Sequence, residues 1–186
     1  MDKAEFRALF GSRGPVVLPV IHVLETQRTL ANIDVLTGEG AAGCFLINHD
    51  FGVEEFLPIV RDVRAAKPDF WIGLNFLAAT GRDAFPQLAT LQAEGCRVDA
   101  YWADDARIDA ADQTEARQIS AARTGWDGLY FGGTAFKKQR PIPQSDYARS
   151  ARIACDWMDV VTTSGPATGM EADDDKIATF LRAIGD

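Results

Sequence analysis

The chain has 186 residues, 47% of them apolar, which is enough for one domain with a substantial core and excludes a disordered polymer. Its formal net charge of −8 argues against nucleic acid or an anionic membrane as the main partner. Three cysteines, Cys44, Cys96 and Cys155, form no CxxC pair and read as small core residues of a reducing compartment.

Residues 1–15 (MDKAEFRALFGSRGP) are charged and amphipathic and lack the continuous apolar region of a leader. The first predicted strand, Val16–Val23 (VVLPVIHV), follows and carries His22 near its end. The next are Gly43–His49 (GCFLINH), Phe70–Leu77 (FWIGLNFL), Arg97–Trp102 (RVDAYW), Gly128–Gly132 (GLYFG) and Asp159–Thr163 (DVVTT). Successive starts lie about 30 residues apart, the length of one strand, one helix and two short loops. Between them, Val53, Phe56, Leu57, Val60 and Val63 keep helical spacing, as do Ile177, Phe180, Leu181 and Ile184. Caps are predicted at Thr26, at Asp109 or Asp112, at Ser145 and at Asp173 or Asp174. Gly40, Gly95 and Gly125 stand where helices end. Asp69, Asp127 and Asp159 each precede an apolar strand, which suggests one turn used repeatedly.

Consecutive βα units imply parallel strands, because each helix returns the chain to the same edge. A doubly wound open sheet and a (β/α) barrel of TIM type both satisfy this. Even spacing and the lack of a GxGxxG in the first turn favour the barrel. Six units are two short of eight, and two more need roughly 55–60 residues. Residues 1–186 are therefore expected to be one incomplete barrel domain, completed by further C-terminal strands or by a partner chain, so a homo-oligomer is expected. No run of about 18 apolar residues occurs, no membrane association is expected, and the expected location is cytoplasmic.

In such a fold the site lies at the carboxyl ends of the strands. Both histidines of the chain, His22 and His49, fall there. Each admits three readings: structural residue, acid or base, or metal ligand. No HxH or HExxH spacing supports a metal set, so no metal ligand is assigned. Asp99 lies inside an apolar strand, where a charge is costly unless paired or functional, and is the preferred catalytic carboxylate; an ion pair with Arg97 or with a lysine from a neighbouring segment is the alternative. Asp104 and Asp105 read as solvated loop residues. Asn48 and Asn75 are candidates to orient a substrate.

Two stretches suggest an anion site. Ser164, Gly165, Thr168 and Gly169 combine hydroxyls with glycines that let backbone approach an oxyanion. Plain turn chemistry explains them equally, and the acidic helix start (Glu171, Asp173, Asp174, Asp175) opposes an anion. Lys137, Lys138 and Arg140 form the densest basic cluster of the chain, in a loop able to act as a lid.

Several of these segments resemble the BtpA/SgcQ-like family. PVIHV at 19–23 is similar to its GMVHL opening, GLNFLA at 73–78 to its GVNVLRND strand, and VDAYW at 98–102 to its fourth strand. DVVTTSGPATG at 159–169 shares its Ser-Gly-x-x-Thr-Gly spacing. The resemblance implies a phosphate-binding TIM barrel with two further C-terminal strands. The chain departs from the family at VLETQRT after His22, at Ala78-Ala79-Thr80 and at Ile47.

Together these readings lead to a barrel binding a small phosphorylated metabolite. Asp99 and His22 would act as acid and base. Asn48, His49, Asn75, Lys137, Lys138, Arg140, Ser164, Gly165, Thr168 and Gly169 would bind substrate. The expected chemistry is isomerisation, lyase or glycosyl-bond cleavage without a cofactor, a divalent metal being allowed. The alternatives are a non-enzymatic assembly factor and a metal-dependent hydrolase.

Overall fold

Six apolar segments become strands: β1 (Val20–Val23), β2 (Gly43–Asn48), β3 (Trp71–Phe76), β4 (Ala100–Ala103), β5 (Leu129–Gly133) and β6 (Val160–Thr162). They form one sheet in the order β1-β2-β3-β4-β5-β6, and every neighbouring pair is parallel. The helices are α1 (Lys3–Leu9), α2 (Thr26–Gly38), α3 (Val53–Ala66), α4 (Gly81–Ala93), α5 (Thr114–Ala122), α6 (Tyr147–Ala154) and α7 (Asp174–Ile184). The structure, a computed structural model, describes residues 1–137 and 140–185. Lys138 therefore lies outside the described residues. This is the expected parallel α/β architecture of TIM type. Among the described residues no helix is long and apolar enough to cross a membrane.

Strand alternation sorts the apolar residues into two cores. Ile21, Val23, Cys44, Leu46, Ile72, Leu74, Tyr101 and Tyr130 face the helices and pack on Phe56, Val60, Phe85 and Leu88. Phe45, Ala100 and Phe131, with Trp71, Trp102, Leu129 and Val160, line the other face. That inner lining is largely aromatic: Phe45 meets Trp71, Trp102 and Phe131 edge to face, at centroid distances of 5.4, 5.6 and 5.2 Å. The amphipathic N-terminus closes the amino end of this lining. Phe6 lies 6.0 Å from Phe131, and Phe10 5.3 Å from Trp71.

Local chemistry explains the helix ends. Gly40, Gly95 and Gly125 take φ of 78°, 79° and 77°, the left-handed conformation that ends a helix cheaply only at glycine. Asp173 caps α7 by accepting from the Lys176 N–H. Asp2 and Glu5 form a reciprocal capping box on α1. The N-cap of α2 is Glu25, one residue before the predicted Thr26.

Further expectations need correction, and strand β1 starts at Val20 rather than Val16. Cys155 is exposed, unlike buried Cys44 and Cys96. Strand β4 starts at Ala100 rather than Arg97. Asp99 therefore sits at its amino end, level with the start of β3, where its N–H donates to the Ile72 carbonyl.

Candidate active site

The inward parity decides which polar residues meet at the carboxyl rim. Asn75 continues the row of Trp71 and Gly73, Asp104 the row of Ala100 and Trp102, and His49 the row of Phe45 and Ile47. His22 pairs in register with Ile47. The buried Asn75 donates from Nδ2 to Asp104 Oδ1 at 3.1 Å. The His22 and His49 rings stack at 4.4 Å with planes 9° apart. Burial raises the Asp104 carboxyl above the ordinary aspartate value. The Asn75 bond and the charges of Lys137 and His49 pull it back down, and Asp105 pushes it up. A half-buried carboxylate, two imidazoles, an amide and a lysine thus share one rim. That set can hold and relay a proton next to a bound small molecule.

The loops around this rim are held in strained conformations. Among the described residues, three that are not glycine have positive φ: Ala78 (63°) beyond β3, Arg107 (57°) beyond β4 and Ala135 (49°) beyond β5. The Ala135 carbonyl accepts from Lys176 Nζ at 2.6 Å and from Thr163 Oγ1 at 3.3 Å. The Lys137 N–H donates to Ser164 Oγ at 2.7 Å. These bonds fix the segment that sets Phe136 edge-on to Trp102 at 5.7 Å and places Lys137 near Asp104.

Several predicted site residues are placed elsewhere. Asp99 Oδ2 accepts from Arg64 at 2.7 Å and from the Ile72 N–H at 2.9 Å, and Oδ1 pairs with Arg97 at 3.0 Å. Its side chain faces the helices at the amino edge, so the weighed ion pair describes it and the acid/base role does not. Asn48 also has the helix-facing parity. It donates to the Phe51 carbonyl at 2.9 Å and accepts from the Leu77 N–H at 3.0 Å, tying two loops together. Arg140 is engaged by Asp109 and Glu115 at 2.7 and 2.8 Å.

The Ser-Gly-Pro-Ala-Thr-Gly stretch folds back on itself. A Cβ on Gly165 would stand 2.2 Å from the Met170 carbonyl oxygen, Gly169 has φ of 77°, and Thr168 is exposed. The Ser164 carbonyl accepts from Lys176 Nζ at 2.8 Å. The turn therefore offers carbonyl oxygens to a cation, and Asp173 already occupies the start of α7. Both observations count against the expected phosphate cradle. Asp104 and Lys176 were the residues missed. Counting in steps of two from Trp102 would have found Asp104; no local signal marks Lys176.

No family model matches the chain, and no curated protein matches it. Solved structures share its fold. A mandelate racemase/muconate lactonizing protein from Herpetosiphon aurantiacus is 14% identical, with a TM-score of 0.58 over 91% of this chain and 44% of that one. A 3,6-anhydro-D-galactonate cycloisomerase from Zobellia galactanivorans is 17% identical, with a TM-score of 0.59 over 95% and 47%. A dipeptide epimerase from Enterococcus faecalis, complexed with Mg and L-Leu-L-Tyr, is 15% identical, with a TM-score of 0.58 over 96% and 47%. The chain thus spans less than half the length of each. The fold neighbours are these proteins and not BtpA/SgcQ-like ones, which overturns that assignment, and the phosphate-binding expectation that it implied falls with it. The Mg in the epimerase overturns the expectation of a cofactor-free chemistry and leaves the divalent metal it allowed. Among the described residues, however, no three His, Cys, Asp or Glu side chains gather around one point. The residues present do not fit such a site, and no step below passes through a metal. At these identities the likeness to the mandelate racemase and muconate lactonizing structures is one of fold.

Proposed function

We propose that the chain is an isomerase-type enzyme that moves a proton on a small molecule held at the carboxyl rim of the barrel. The observation that carries this is the Asp104 carboxyl: inward-facing, raised by burial, bonded to Asn75, and within the field of His49 and Lys137. A carboxyl shifted toward neutrality is a better-matched base than an ordinary aspartate, and an imidazole supplies the complementary acid. Asp104 takes the proton, His49 returns one, with His22 stacked behind it, and the Lys137 ammonium stabilises the negative charge that develops between them. Asn75 fixes the carboxyl. The strained residues Ala78, Arg107 and Ala135 around the rim support a functional reading, because such strain persists where geometry is over-determined. The fold neighbours include a mandelate racemase/muconate lactonizing protein, a dipeptide epimerase and a cycloisomerase, which favours isomerisation over the lyase and glycosyl-bond alternatives. We read residues 1–186 as a single domain.

Proton exchange into deuterated water tests this. The protein is incubated with a panel of dipeptides and sugar acids, with and without Mg²⁺, and loss of the carbon-bound proton is followed by NMR. Asp104→Asn is expected to slow the exchange by about 10²–10⁴-fold, the usual contribution of one acid/base group. Exchange that proceeds unchanged in both Asp104→Asn and His49→Gln sinks the reading.

A further inference from the structure

Beside the rim, the loops after β5 and β6, with α6 and α7, frame an open cavity of about 440 Å³. Phe136, Ile142 and Tyr147 give it apolar wall, and Lys137, Asp173 and Lys176 line it as well. Lys176 is 9% exposed, and its ammonium forms no ion pair among the described residues. Two of its three donors are taken by the Ala135 and Ser164 carbonyls, and the Tyr147 ring centroid lies 5.3 Å away. The nearest acid, Asp173, accepts the Lys176 backbone N–H in capping α7. The contacts of this buried cation are thus carbonyls and a ring face, with no carboxylate in contact and Asp173 acting on it only through its field. Of the other basic groups in the lining, Arg140 is paired with Asp109 and Glu115, and the charge of Lys137 acts on Asp104.

We infer that this cavity is a binding site for a small apolar carboxylate, whose anion pairs with Lys176 and whose hydrocarbon body lies against Phe136, Ile142 and Tyr147. A buried ammonium with no carboxylate in contact, beside apolar wall, suits a monoanion with an apolar tail. Asp173 in the wall opposes a second negative charge. Lys137 borders both this cavity and the Asp104 rim, but the anion pairs with Lys176, and the inference does not depend on the isomerase reading.

Calorimetric titration at pH 7 with benzoate, its neutral isostere benzamide, and inorganic phosphate tests the inference on the wild-type protein. Saturable benzoate binding at one site per chain is expected, with benzamide and phosphate at least about tenfold weaker. Lys176→Met, which keeps the aliphatic stem, is expected to lower benzoate affinity about tenfold or more. Ile142→Asp, a partly exposed wall position, should block benzoate without touching Lys176, and serves if Lys176→Met does not fold. Asp104→Asn should bind benzoate like the wild type, which separates this site from the acid/base cluster. Absence of saturable benzoate binding, equal affinity for benzamide, tighter binding of phosphate, or unchanged benzoate affinity in Ile142→Asp would each overturn it.

Discussion

Asp99 and Asp104 stand at opposite ends of the same strand and face opposite sides of the sheet, and their fates differ accordingly. Asp99 is held by Arg64 and Arg97, and the Arg64 and Asp99 side chains are 8% and 14% exposed. Asp99→Asn leaves a buried guanidinium without its partner, so a loss of about 2–4 kcal/mol is expected in urea unfolding, with proton exchange per folded molecule unchanged. Asp104 behaves in the opposite way. Burial raises its folded-state carboxyl above the reference of 3.8, so the folded chain holds that proton more tightly than the unfolded chain. Its protonated form therefore contributes stability that is fully present below about pH 4 and is lost as the pH rises through the folded value. Asp104→Asn cannot ionise and can keep the Asn75 bond. Its melting temperature should exceed that of the wild type at pH 7, and the difference should vanish toward pH 3, while catalysis falls. A variant less stable than the wild type at pH 7 would show that Asp104 is structural. The sequence could not separate these two aspartates. Both follow or interrupt an apolar run, and what distinguishes them is a strand start three residues later than the pattern suggests, together with an arginine contributed by the distant α3.

At the scale of elements, the Asp99 clamp has a twin. Asp159 Oδ2 accepts from Arg123 at 2.6 Å and from the Tyr130 N–H at 2.8 Å, two βα units further along. In both, an acid just before a strand reaches back to the N–H of the second residue of the preceding strand, and an arginine holds it, from the last turn of the helix before that strand (Arg64) or from its C-cap (Arg123). The recurrence of Asp before strands was visible in the sequence at Asp159; the arginine half was not, since nothing local links Arg123 to Asp159. The second clamp is looser, with side chains 24% and 29% exposed, so Asp159→Asn is expected to cost about 1–2 kcal/mol, less than Asp99→Asn. Equal losses would mean that burial does not set the strength of the clamp. The turn after β6 shows a different limit of sequence reading. Ser, Gly and Thr at a strand-to-helix junction serve an anion cradle and a folded-back turn alike, because composition does not say whether N–H or C=O groups point inward. Here the carbonyls of Met170 and Glu171 press on Gly165, at 2.2 and 2.6 Å from where a Cβ would lie. Gly165→Ala is expected to destabilise by about 1–3 kcal/mol, through displacement of the turn rather than loss of a ligand. Its effect should be the same with and without inorganic phosphate in the melting buffer.

For the molecule as a whole, the spacing of apolar segments was informative because the period of a βα unit is fixed by the dimensions of a strand and a helix, so parallel order followed directly. Closure is not encoded that way. Among the described residues β1 and β6 each pair on one side only, which leaves two sheet edges with open backbone groups. Apolar side chains gather beside both. Val17, Val20, Leu24 and Val35 are exposed near β1, and Ile177, Leu181 and Ile184 form an exposed stripe on α7 near β6. Water leaves such edges prone to pairing, and copies of one chain are the partner always present. Self-association is therefore expected in solution. Sedimentation between about 5 and 200 μM should show a mass above the 20.3 kDa of one chain, rising with concentration. Leu181→Glu is the discriminating variant. Leu181 is 54% exposed, so a charge there should change the melting temperature of the monomer little, yet it places a carboxylate in the middle of the stripe. If association uses the β6 edge, the variant should sediment as a monomer at concentrations where the wild type does not. If the wild type is already monomeric over the whole range, the chain does not cover these edges with copies of itself.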